Sequence, residues 1–359
     1  MTRIRNLRHD DLSQVIALYR SHLAWPNVAD PDELQIAFEQ VFLGEPLSDP
    51  SIPSLVFEGS DGEILGFIGS LVHRMRFEQR PIRLACSSSL VVAPKARQLG
   101  AGGLLLRKYL AGPQDLTMTD TAGSATERMW RRLGGSMYHL GSVTWLHLIH
   151  PLRAAAGLKL WHSGKHQRLP LVRPLCRPLD AVYSRFNNNT DDTGDLEKHT
   201  EEQLSSQLLI DHLRLGPQQF DLWPDYDVES LGMLFDHIGR SRSNGQLVKN
   251  FVRDARGKPL GWYIASLLPS DIYRVLGLAA TPGNEELMFR HVLRSAKDVN
   301  AAAVAGRLEP WLLEIFPRRM MMFSRVRFLI HSRNEAFCDA VRSSKALLTG
   351  LESDIWMPR

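Results

Sequence analysis

The sequence contains no run of about 18 or more apolar residues, so no segment reads as a membrane-spanning helix. Cysteine is scarce: Cys86, Cys176 and Cys338 lie far apart and are odd in number. That pattern excludes a disulfide framework, and no Cys or His spacing matches a metal site, so reduced thiols and no metal are expected. The opening Met1-Thr2-Arg3-Ile4-Arg5 is charged where a signal peptide would be apolar. The expected location is therefore cytoplasmic. Charge of one sign is also in short supply, since the net charge is only +4, and this argues against a nucleic-acid partner.

What the chain does have is ordinary globular material, 44% hydrophobic and 23% charged over 359 residues, a length that suits two domains. One local asymmetry stands out. Arg153, Lys159, Lys165, Arg168, Arg173, Arg177 and Arg185 face a single acid, Asp180, in the same stretch. Such a segment can be a solvated linker, or a surface for an anionic cofactor, an acidic carrier protein or lipid.

The most informative segment runs Leu90-Val91-Val92-Ala93-Pro94-Lys95-Ala96-Arg97-Gln98-Leu99-Gly100-Ala101-Gly102-Gly103. An apolar strand stops at a proline, and a helix starts from a glycine-rich turn. Amides converging at a helix N-terminus bind phosphate oxygens without an acid or a base. The spacing is wrong for a dinucleotide fold, which wants Gly-x-Gly-x-x-Gly in an early strand–helix unit, and for a P-loop, whose Lys-Ser/Thr is missing. The Arg-x-x-Gly-x-Gly pattern after Val-x-Pro resembles the pyrophosphate loop of the GNAT superfamily, the GCN5-related N-acetyltransferases. The opening Ile4-Arg5-Asn6-Leu7 with Asp10-Asp11, and the helix end Met129-Trp130-Arg131-Arg132-Leu133-Gly134-Gly135, fit the same pattern. So does the order of elements over roughly residues 3–150: strand, two helices, an Asp61-Gly62 hairpin, strand, glycine loop, helix, strand, helix, strand.

The second half repeats this outline, with a hairpin around Asp254–Gly257 and Gly261 in the place of Gly66. Its loop differs. Thr281-Pro282-Gly283-Asn284-Glu285-Glu286 keeps one glycine and sets two carboxylates where a pyrophosphate would lie, so this half is expected not to bind coenzyme A. The resemblance thus implies an α/β (α+β) fold of two tandem GNAT-like domains, each a mixed twisted sheet flanked by helices. Residues 1–150 form the cofactor domain, 151–200 a basic and polar linker with one short helix near Leu179–Phe186, and 201–359 a degenerate copy. In the first half Tyr138–Leu148 is the closing strand, and in the second Phe323–Leu329 is strand-like, with another strand near Ile355.

For chemistry, the resemblance implies transfer of an acyl group from acyl-coenzyme A, most simply acetyl-coenzyme A, to an amine of a small molecule or peptide. The amides of Gln98, Leu99, Gly100, Ala101, Gly102 and Gly103 would hold the pyrophosphate, with Arg97 adding charge. The edge of Leu90, Val91 and Val92 would pair with the pantetheine arm as an extra strand. Proton transfer is less legible. The tyrosine that many members place four residues before the closing glycine is here Trp130, which cannot act as an acid. Ser124, in the first turn of its helix, is a hydrogen-bond candidate for the sulfur or else the N-cap. Asp120, at the end of a strand, is the first candidate for the proton acceptor, ahead of His73 and Glu58. Cys86 reads as a structural thiol, and the cluster Arg318-Arg319-Met320-Met321-Met322-Phe323 as core packing at a strand start or else the lining of an acyl or peptide groove. Two rival readings are a non-catalytic acyl-coenzyme A-binding protein and a transferase that takes its acyl group from an acidic carrier protein.

Overall fold

A computed structural model describes residues 2–22, 30–163, 165–187, 196–215, 220–241, 244–315, 320–324, 326–354 and 357. In chain order the first elements are β1 (Arg3–Asn6), α1 (Leu12–His22), α2 (Pro31–Phe42), β2 (Leu55–Glu58), β3 (Ile64–Phe77), β4 (Arg80–Val92), α3 (Pro94–Arg97), α4 (Ala101–Leu110), β5 (Leu116–Ala122), α5 (Ser124–Arg132) and β6 (Ser136–Met137). Next come β7 (Thr144–Leu148), α6 (Pro151–His162), α7 (Leu169–Asn187), β8 (Thr200–Gln203), α8 (Ser206–His212), β9 (Leu222–Pro224) and α9 (Val228–Arg240). The remainder are β10 (Gln246–Arg253), β11 (Pro259–Leu267), β12 (Ile272–Ala280), α10 (Glu285–Asp298), β13 (Ala303–Arg307), β14 (Met320–Phe323), β15 (Arg327–His331) and α11 (Glu335–Arg342).

Local chemistry accounts for many of the boundaries. Asp30 caps α2 by accepting the Asp32 N–H at 2.9 Å, and Pro31 takes the first helical position, where its missing N–H costs nothing. Gly62, at φ 84°, turns the β2–β3 hairpin at the expected Asp-Gly.

The chain packs into two compact units. The first gathers Met1–Ser142, Phe220–Tyr226 and Arg325–Arg359; the second gathers Val143–Gln219 and Asp227–Ser324. Each is built on a mixed sheet flanked by helices, the expected fold class. The first sheet runs β1-β2-β3-β4-β5-β15-β6 with β9 on β3, and the second runs β14-β7-β13-β12-β11-β10-β8. A parallel pair sits at the heart of each, β4–β5 and β12–β13. Gly66 lies under Leu105 of α4, and Gly261 lies under Met288 of α10, so the internal repeat extends to the packing of helix on hairpin.

Three expectations from sequence need correction. The first is the closing strand of each half. Only Ser136–Met137 stays with the first sheet; Thr144–Leu148 pairs with β13 and β14 of the second. In return, β15 inserts between β5 and β6 of the first sheet, although its sequence position places it in the second half. Contacts therefore do not divide the chain at 150 and 200. Alternating apolar residues specify a strand and its buried face, but not which distant ladder completes it.

The second is the linker. Residues 151–187 are largely the helices α6 and α7, and α7 continues through Pro174 and Pro178. Both prolines lie on its exposed side, where the carbonyls that lose a partner face water. Residues 188–195 of the polar run lie outside the described residues, as does the strand expected near Ile355. The third is the methionine cluster. Met320 is buried, but Met321, Met322 and Phe323 are exposed on an edge strand rather than packed in the core.

Candidate functional site

The site is made where the first sheet comes apart. β4 and β5 run parallel and pair at Leu84↔Leu116, Ala85↔Thr117 and Cys86↔Met118, and no further. Past Cys86 the strands separate. Ser89 adopts φ 54°, a left-handed conformation rare for serine, and the β3–β4 register shifts between Phe67 and Gly69. This bulge turns the free edge of Leu90, Val91 and Val92 away from β5.

At the open end of the splay, Pro94 starts the short turn α3, and Gly100, at φ 69°, caps α4 in the left-handed region. The Leu104 N–H is the first to bond back, to the Gly100 carbonyl at 3.0 Å. The amides of Ala101, Gly102 and Gly103 thus precede the helical ladder, and no side chain caps this helix. A Cβ built on Gly100 or on Gly103 would meet nothing within 4 Å. The backbone at these two positions is therefore open to close approach by another group. Arg97 is exposed and donates from Nε to the Val92 carbonyl at 3.3 Å, which holds it beside the loop. Gln98 and Leu99 are exposed on the same turn.

At the narrow end, two consecutive residues bridge the parted strands. Ser88 Oγ on β4 donates to Asp354 Oδ2 at 2.8 Å, and Ser353 Oγ donates to Asp120 Oδ1 on β5 at 2.6 Å. Beside them Glu352 is fully buried; its Oε2 accepts the Thr349 N–H at 2.6 Å, and its Oε1 accepts the Tyr226 hydroxyl in a short contact. Burial lifts the Glu352 carboxyl to about 8, and the neighbouring Asp120 charge adds to the lift. Three carboxyls thus gather where the strands diverge, a few residues along β4 from the free edge. Of these residues the sequence singles out Asp120 alone as a candidate, and not Ser88, Tyr226, Glu352, Ser353 or Asp354. The one legible signal was the capping box Thr349-x-x-Glu352, which fixes the turn that carries Ser353 and Asp354.

No protein-family model and no curated protein matches the sequence. Solved structures do match its fold. A GCN5-related N-acetyltransferase from Kribbella flavida superposes at TM-score 0.55 and 12% identity, over 96% of this chain and 73% of that one. A GCN5-related N-acetyltransferase from Anabaena variabilis gives 0.55 and 11% over 93% and 73%. A conserved protein of unknown function from Enterococcus faecalis V583 gives 0.58 and 9% over 92% and 72%. The fold is that of the GCN5-related N-acetyltransferases, built twice. At these identities the likeness speaks for the GNAT fold, and the site has to be argued from its own residues.

Several sequence candidates have surroundings that account for them without any part in chemistry. Trp130 is fully buried in the core with Leu106, Leu105 and Leu329, and packing is its role. Cys86 is buried, and its thiol is pushed well above the ordinary value by burial and by the charges of Asp354 and Asp120; it is a structural thiol. His73 is buried, and desolvation lowers it to about 4, so it is a neutral imidazole at pH 7. Glu58 is bound by Arg3 and Arg5, whose hydrogen bonds draw its carboxyl down, and Arg5 also holds Asp11. That network fixes β1 on β2.

Ser124 is not the cap of α5. Gly123 holds that position, and Ser124 is the exposed first helical residue, two residues after the end of β5. In the second unit, α10 begins after Gly283 with Glu285 and Glu286 in its first turn, and Glu286 pairs with Arg290 at 2.6 Å. Among the described residues no group of three or more His, Cys, Asp or Glu is arranged to hold a metal ion. Among the described residues no helix is long and apolar enough to cross a membrane.

Proposed function

We propose that the first unit is an N-acyltransferase, moving an acyl group from acyl-coenzyme A, acetyl-coenzyme A in the simplest case, to an amine of a small molecule or peptide. The observation that carries this reading is the uncapped, side-chain-free N-terminus of α4 at Gly100–Gly103, set at the open end of a splay whose narrow end holds Asp120, Glu352 and Asp354. The amides of Ala101, Gly102 and Gly103, with Arg97 beside them, take the pyrophosphate. The free edge of Leu90, Val91 and Val92 receives the pantetheine amides as a further strand. The thioester supplies an activated carbonyl with a thiolate leaving group.

The chain's own residues then have two tasks. Asp120 accepts the proton that the amine loses as its nitrogen bonds to the carbonyl carbon, and Ser353 fixes the carboxylate's orientation. As the carbon–sulfur bond breaks, the sulfur takes up a proton; Ser124, exposed at the start of α5, is the proposed hydrogen-bond partner on that side. The second unit, with carboxylates at the matching helix start, is read as a shape-giving copy that binds no coenzyme A.

A rival reading, a non-catalytic acyl-coenzyme A-binding protein, draws on the burial of Trp130 at the place where many members carry an acidic tyrosine. Release of free thiol from acetyl-coenzyme A, followed over a panel of amines, separates the two. Amine-dependent release is the expected result; tight coenzyme A binding with no turnover on any amine selects the rival.

A further inference from the structure

Helix α7 in the second unit is built inside out. Helical spacing places Leu169, Cys176 and Asp180 on one face, and all three are buried. The opposite face carries Leu171, Leu175, Leu179 and Val182, which are 76%, 75%, 61% and 52% exposed. A helix of a water-soluble unit normally turns its aliphatic stripe inward. Here the inward face is spent on polar work instead. Asp180 accepts the N–H groups of Leu152 at 3.0 Å and Arg153 at 3.3 Å, closing the first turn of α6, while Arg173 Nε donates to Asp271 at 2.9 Å. The leucines are thereby left outside as a row of four, about 17 Å long at the helical rise.

The exposed charges of the α6–α7 hairpin itself have one sign. Lys159, Lys165, Arg168 and Arg177 are exposed on α6, α7 and the turn between them, and Asp180, the only acid in residues 151–187, is buried. We propose that this face of α7 docks on an anionic lipid surface, with Leu171, Leu175, Leu179 and Val182 entering the acyl boundary and Lys165 and Arg168, at the N-terminal end of the row, meeting headgroup phosphates. No helix among the described residues, α7 included, is long and apolar enough to cross a bilayer, so α7 would lie on the surface rather than through it. A second copy docked about a two-fold axis would set cations against cations. An acidic protein would match the cations and leave the aliphatic row without a counterpart. The inference is independent of the acyl-transfer reading.

Vesicle flotation with the full chain tests it, using vesicles of phosphatidylcholine alone and of phosphatidylcholine mixed with phosphatidylglycerol. The chain is expected to float with the mixed vesicles only, and less at high salt. Because the leucines are exposed, the double variant Leu171→Gln/Leu175→Gln keeps the wild-type circular dichroism and loses partitioning roughly tenfold or more. Lys165→Gln/Arg168→Gln, which leaves the row intact, weakens it about fivefold per charge. Absence of wild-type flotation at low salt overturns the proposal, as does unchanged flotation of the leucine variant. It is equally overturned if the wild type sediments as a dimer that the leucine variant abolishes, or binds an acidic carrier protein through this row while ignoring vesicles.

Discussion

Ser353 Oγ donates to Asp120 Oδ1 at 2.6 Å, joining residues 233 positions apart across the point where the first sheet opens. The bond orients a carboxylate that the strand alone would leave free to rotate. Asp120→Asn keeps the shape and removes the proton acceptor, so kcat for amine acylation is expected to fall by about 10²–10⁴ with the affinity for coenzyme A unchanged. Ser353→Ala loses only the orientation, for which a drop of about tenfold is expected. Thiol-release kinetics and a coenzyme A titration check both; a coenzyme A affinity that falls in step with kcat would show that Asp120 supports the fold of the splay and not the chemistry.

Gly103 separates stability from binding. Within α4, replacing it by alanine improves helix propensity by up to ~1 kcal/mol, and the new methyl meets nothing in the protein. The same methyl stands where a phosphate oxygen must approach. Gly103→Ala should therefore raise the melting temperature and weaken coenzyme A binding by about tenfold, the worth of one charge-assisted hydrogen bond. Gly103→Asp, adding a like charge, should abolish binding. Calorimetric titration beside thermal denaturation gives both readouts, and tight binding by Gly103→Asp would remove the phosphate role from this turn.

The buried carboxyl of Glu352 makes folding depend on pH. Its ordinary value of 4.5 is lifted to about 8, so the unfolded chain releases a proton that the folded chain keeps over that interval. Stability due to this group accordingly declines as pH rises from the lower value to the upper, and levels off beyond it. Glu352→Gln removes the titration. Between about pH 5 and about pH 8.5 its melting temperature should fall less than that of the wild type, by roughly 5 °C or more. Parallel curves for the two proteins would mean that Glu352 is ionised in the folded state.

The contrast between Gly100 and Asp354 explains what the sequence could tell. Glycines in a turn, an Asp-Pro helix start at Asp30 and an Asp-Gly hairpin at Gly62 act through neighbours a few residues away, so their geometry follows from local order. Ser88 with Asp354 and Tyr226 with Glu352 are joined only by the finished fold. The exchange of β7 and β15 is hidden for the same reason, because each strand's pattern is satisfied equally by either sheet. Prolines misled at α7, where they read as linker punctuation. With Pro174 and Pro178 on an exposed side, the helix runs on past the lost donors.

Asp271 ties the α6–α7 hairpin to the second sheet. It sits buried at φ 63° between Arg173 and Arg153, and Arg153 also donates to the Asn300 side chain at 2.9 Å and to the Asn300 carbonyl at 2.6 Å. Asparagine tolerates this left-handed backbone, so Asp271→Asn removes charge with little strain. It removes the nearer counter-charge of the buried Arg153 guanidinium and leaves it only Asp180, which should cost about 3 kcal/mol. The urea midpoint reads this directly; a shift near zero would mean that water, not Asp271, balances Arg153.

The duplicated helix starts predict the binding stoichiometry. α4 opens with Gly100 and glycines at positions 102 and 103, whereas α10 opens with Glu285 and Glu286 after a single left-handed Gly283. The amides at both starts carry the same partial positive charge, but in the second unit the two carboxylates already complement it and repel an incoming pyrophosphate. Titration calorimetry is therefore expected to give one coenzyme A per chain. In Gly103→Asp the heat should vanish altogether, because no second site remains to be seen. Removing the repulsion with Glu285→Gln/Glu286→Gln should leave the count at one, since α10 still lacks the glycines at the two positions where α4 exposes its backbone. A second equivalent in the wild type, or residual binding in Gly103→Asp, would place coenzyme A in the second unit and reverse the division of labour between the two copies.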